Sequence, residues 1–87
     1  MISIWKYDLQ TTGKQTIRMP AGAEILTVQT QKGEPRLWAR VDTNSPEEDR
    51  VIITRGTGHP LSTEAEKYIS TYKLSGDNLV FHVFESL

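Results

Sequence analysis

Arg36, Trp38 and Arg40 recur at a spacing of two, and their types suit binding chemistry. On an extended strand, alternate side chains share one face about 7 Å apart. Two guanidiniums then flank an indole that can stack on a planar ring, while each fork grips a phosphate or carboxylate. Such a platform fits a planar anion. The same face equally suits arginines lying over the indole for cation–π energy, with no guest.

A second set lies in Arg55-Gly56-Thr57-Gly58-His59-Pro60. Two glycines let backbone amides approach a guest closely, Thr57 adds a hydroxyl, and Arg55 and His59 bring positive charge. It is not a dinucleotide fingerprint, which needs a third glycine and a following helix, and it lacks the Gly-Lys-Ser/Thr ending of a P-loop. The bland alternative is a strand exit where glycine permits an unusual dihedral and Pro60 stiffens the chain. Tyr68 and Tyr72 share parity with Ser70, so either they line a groove, with Tyr72 a second ring for stacking, or they pack with their hydroxyls at the rim.

Catalysis and metal binding find little footing. The chain has no cysteine, which removes disulfides, thiolate chemistry and cysteine-bound metals. His59 and His82 are the only histidines and show no metal-ligand spacing; His82, between Val80 and Phe84, reads as a hydrogen-bonded packing residue. There is no G-x-S-x-G elbow, and Glu47-Glu48-Asp49 reads as a solvated loop. No enzyme, metal or cofactor is expected.

The elements that must hold these residues are strands. Ser3, Trp5, Tyr7 and Leu9 share one parity, and Leu37, Ala39 and Val41 form the core face opposite Arg36, Trp38 and Arg40. Turn residues around Gly33 and Gly76 predict two hairpins, 24–31 with 36–42 and 68–74 with 78–85. Thr63-Glu64-Ala65-Glu66 is a capping-box pattern that supports one helical turn at most. About seven short strands without helical spacers predict one all-β domain over residues 1–87, a small antiparallel sandwich or open barrel. The last strand is apolar on both parities (Leu79, Phe81 and Val83 against Val80 and Phe84), so both its faces should be covered. The cover is either the chain's own second sheet or another copy, and a homo-oligomer is the expectation.

Composition narrows the partners. In 87 residues, 37% are hydrophobic and 24% charged, with ten basic against eleven acidic side chains. A net charge of −1 lacks the basic excess of a charge-driven nucleic-acid binder, which ranks that role below the others. No apolar run approaches the roughly 20 residues of a membrane span, and no signal peptide is visible at Met-Ile-Ser-Ile-Trp-Lys. A soluble intracellular protein is expected.

The stretches Ile4-Trp5-Lys6-Tyr7, Met19-Pro20-Ala21-Gly22-Ala23, Leu37-Trp38-Ala39-Arg40-Val41-Asp42, Gly56-Thr57-Gly58-His59-Pro60 and Phe81-His82-Val83-Phe84-Glu85 together resemble one family. It comprises very small, uncharacterised proteins carried by bacteriophages, prophages and their bacterial hosts. The resemblance brings no activity, catalytic residue or cofactor. It implies a phage-type accessory protein in the bacterial cytoplasm. The expected function is non-enzymatic sequestration of a small nucleotide-like anion, an anti-defence sponge, with Arg36, Trp38, Arg40, Arg55, Thr57, Gly58, His59 and Tyr72 as ligand-binding residues. The alternative is an interaction module that inhibits or adapts a host or phage protein.

Overall fold

The computed structural model describes residues 1–61 and 66–87. Seven strands follow in order: β1 (Ile2–Asp8), β2 (Lys14–Pro20), β3 (Glu24–Gln31), β4 (Glu34–Asp42), β5 (Glu47–Gly56), β6 (Glu66–Leu74) and β7 (Leu79–Ser86). They form two antiparallel sheets, β1-β4-β3 and β2-β5-β7-β6, packed as a sandwich and not closed into a barrel. The expected all-β fold is therefore found, in its sandwich form. Of the capping-box pattern, residues 63–65 lie outside the described set, and Glu66 opens β6.

Turn chemistry sets both expected hairpins. Lys32 and Gly33 adopt φ of 53° and 79°, two left-handed residues in succession, which is the two-residue turn whose twist matches a strand pair. Its tightness carries β4 back to Glu34, two residues earlier than the sequence indicates. The second hairpin turns through Ser75, Gly76 and Asp77, all at positive φ, and the Asn78 amide donates to the Ser75 carbonyl at 3.2 Å.

Glu47-Glu48-Asp49 corrects an expectation, because these residues are the first of β5 and not a loop. Pairing with β2 sets Arg18 opposite Asp49, with Nη1 3.0 Å from Oδ1. The Gly22 amide donates to Glu48 Oε1 at 3.1 Å. Cross-strand cations and free amides offset carboxylate crowding, so an acidic run can enter a ladder.

The core lies between the sheets. Met19, Val28, Leu37, Val41, Ile52 and Val83 are fully buried there, each contributing on the order of 1.5–3 kcal/mol. Leu37, Ala39 and Val41 face inward as their parity requires. At one side β3 lies against β6 without a ladder, joined by Ser70 Oγ donating to the Val28 carbonyl at 2.7 Å. Near one end of the core, Arg50 reaches Glu85 through Nε and Nη2 and donates to the Ala23 carbonyl through Nη1 at 2.7 Å. The Glu85 carboxylate, through those bonds, holds the guanidinium's pKa above its ordinary value. The Cα envelope measures 40 × 33 × 15 Å, too thin for a deep enclosed chamber.

Candidate functional site

Strand parity decides which faces the candidate residues reach. Arg36, Trp38 and Arg40 share the outer face of β1-β4-β3, on its central strand. Arg36 is already occupied there. Its Nη2 donates to Glu34 Oε2 at 3.0 Å, its Nη1 to the Pro35 carbonyl at 3.1 Å, and Asp8 Oδ1 stands 3.3 Å from Nε. Trp38 is half-buried between Lys6 and Thr27 in register, and Arg40 is exposed between Ile4 and Glu24. An anion meeting this face would find one guanidinium already neutralised by two acids.

Tyr72 lies in the core. It is 3% exposed, stacks on Phe81 with centroids 5.5 Å apart, and shares a 2.9 Å hydrogen bond with Thr11 Oγ1. Burial pushes its phenol pKa up, partly opposed by that hydrogen bond. It presents no ring face to a surface ligand. A bulge at Ile69 separates it from Tyr68, which turns outward and meets the Phe84 ring edge-on at 5.7 Å. The shared parity of the two tyrosines therefore does not survive.

The other four residues come together. Arg55 ends the outer face of β5, paired with His82 of β7, and β5 then runs into the loop carrying Thr57, Gly58 and His59. Arg55, Thr57, Gly58 and His59 line one cleft of about 200 Å³, with Leu61, His82 and Phe84 completing it. Arg55 is steadied by donating Nη1 to the Gly13 carbonyl at 3.0 Å, with Glu66 Oε1 4.0 Å from Nη2. Gly58 has φ of 88°, and open space stands where a side chain would project, so the backbone is accessible there.

Both ring nitrogens of His82 are engaged. Nε2 bonds the Thr57 hydroxyl at 2.8 Å and Nδ1 the Thr71 hydroxyl at 3.0 Å, which in turn bonds the Tyr68 hydroxyl at 2.7 Å. This chain ties loop to sheet and fits the hydrogen-bonded packing role read for His82. Among the described residues no three His, Asp or Glu side chains gather as metal ligands. His82, Phe84 and Leu61 were not among the candidates; antiparallel pairing of 55 with 82 was the signal that could have found the first two.

The two candidate sets occupy opposite outer faces of the sandwich, Arg36, Trp38 and Arg40 on one sheet and the 55–61 cleft on the other. They do not form one pocket. Fold and cleft define a small two-sheet β-sandwich domain whose candidate site opens at the surface. The chain belongs to the family described as a domain of unknown function (DUF7352), which matches residues 1–87. No curated protein and no solved structure matches it. No helix among the described residues is long and apolar enough to cross a membrane.

Proposed function

We propose that this protein binds a small nucleotide-like anion, without altering it, in the cleft at residues 55–61. One observation carries the reading: Arg55, Thr57, Gly58 and His59 line a single cleft beside the rings of His82 and Phe84. Stacking of a base on an aromatic ring contributes about 1–3 kcal/mol. Arg55, with one carboxylate 4.0 Å away at Glu66 where Arg36 has two, supplies the cation at the rim, and the open backbone at Gly58 lets an anion approach amides closely. Trp38, Arg36, Arg40 and Tyr72 have no part in this site. In the phage-type context that the resemblance implies, holding a nucleotide signal in the bacterial cytoplasm serves as an anti-defence sponge. A second copy laid over the outer face would enclose what one thin sandwich leaves open.

The test is to incubate the protein with nucleoside monophosphates, cyclic dinucleotides and cyclic ADP-ribose isomers, denature it, and assay what is released. Intact ligand should come from wild type and from Trp38→Ala, and not from Arg55→Ala. No ligand from any protein would defeat the reading.

A separate observation favours a second reading, as a module that docks on a host or phage protein. Ile2 and Ile4, 55% and 62% exposed, lie on the same outer face as Trp38, on β1, whose outer edge has no partner strand among the described residues. An unpaired, apolar edge invites strand addition. A stoichiometric protein recovered with wild type and lost with Ile4→Asp would favour this second reading.

A further inference from the structure

Three clefts adjoin at His59. One, of about 180 Å³, is lined by Thr11, Thr12, Thr54 and Phe81 along with Gly56 and His59. Another, of about 360 Å³, runs past Thr57 and Asn78 to Phe81, again with Gly56 and His59 in its wall. The third is the 200 Å³ cleft beside Arg55 and Phe84. The His59 imidazole lies so close to Gly56 that a Cβ there would come within 2.9 Å of Cε1 and 3.0 Å of Nδ1. The ring occupies room that only a glycine leaves.

Thr54 supplies an independent observation. It lines the 180 Å³ cleft and is 6% exposed, and its Oγ1 is buried with no hydrogen-bond partner among the described residues. A buried hydroxyl without a partner works against stability, and native proteins seldom keep one. A valine of nearly the same shape would avoid that cost.

We infer that His59 is a gate, and that swinging its imidazole off Gly56 joins these clefts into one mononucleotide-sized site whose base bonds the Thr54 hydroxyl. The inference rests on the anion-binding reading and deepens it. A volume of about 150 Å³ holds one benzene ring, so the smallest cleft takes a single ring and no more. Thr54 lines only the 180 Å³ cleft and Arg55 only the 200 Å³ one, so a guest that reaches both spans clefts that share Gly56 and His59 as walls. Phe81 and Thr54 then mark the base end, and Arg55 with Gly58 the phosphate end. The His59 amide donates to the Gly56 carbonyl at 3.1 Å, which lets the side chain swing while the turn persists.

Isothermal titration with the four nucleoside 5′-monophosphates tests the gate. Gly56→Ala keeps the imidazole but drives it aside, and His59→Ala removes it. If the closed state holds about nine-tenths of the molecules, both variants bind about tenfold tighter than wild type. Thr54→Val weakens binding while leaving the melting temperature unchanged or higher. Gate variants that bind no tighter than a binding wild type overturn the gate and leave the anion site standing. Absence of binding by all four proteins to these nucleotides overturns the gate, and with silence from the release assay it overturns the site as well. Thr54→Val with unchanged affinity overturns the hydroxyl's assignment.

Discussion

Single residues here show where local chemistry and stability disagree. The Thr54 hydroxyl is buried without a partner among the described residues, so Thr54→Val should stabilise the fold by about 1 kcal/mol, read from the midpoint of urea unfolding. A loss of stability would mean the hydroxyl has a structural partner. Tyr7 and Tyr72 show the same tension in their ionisation. Burial raises both phenol pKa values, with the Glu47 carboxylate adding to the rise at Tyr7. The neutral phenol is the form favoured by folding, so its contribution is complete below about pH 10, where an unfolded tyrosine titrates. It is lost as pH climbs through the higher folded values. Stability measured from pH 8 to 12 should therefore fall above about pH 10, and Tyr7→Phe should make that fall shallower. An unchanged slope in the variant would remove Tyr7 from the account.

At the scale of elements, turns and parity were the readable signals. Lys32-Gly33 and Ser75-Gly76 marked the hairpins because left-handed dihedrals demand particular residues. Gly33→Val should cost about 1–2 kcal/mol in thermal unfolding, since a β-branched residue resists that conformation. Alternation along residues 37–41 identified the core face because burial follows the strand's period. The bulge at Ile69 was not readable, since no residue type announces it. It inserts one residue into the period and sends Tyr72 inward while Tyr68 stays outside. Glu47-Glu48-Asp49 hid its strand for a different reason, because the offsetting Arg18 and Gly22 amide arrive from sequence-distant β2 and the turn after it. Half of the candidate site was legible for the same cause. Arg55, Thr57, Gly58 and His59 are near neighbours in sequence, whereas His82 and Phe84 join them only through the β5–β7 register.

For the whole molecule, exposed area bears on association. The chain exposes 5451 Å², close to the roughly 5,200 Å² of a compact monomer of this size, so its core is closed without a partner. The outer face of β2-β5-β7-β6 nonetheless carries an apolar patch among its charged residues. Ile53 is buried there between Lys14 and Phe84 in register, and Tyr68 is 55% exposed beside them. Sedimentation equilibrium at tens of micromolar should give a mass above the monomer, reduced to monomer by Tyr68→Asp. A monomer mass for wild type would leave the cleft open to solvent as it stands.

The central claim is that the 55–61 cleft, and not the Arg36–Trp38–Arg40 face, takes the nucleotide-like anion. Titration of nitrogen-15-labelled protein with whichever nucleotide the release assay identifies tests it most directly. The amide signals of Thr57, Gly58 and His59 should move in proportion to saturation, while the Trp38 indole signal stays fixed. Movement of the Trp38 indole with a silent Gly58 would contradict the account.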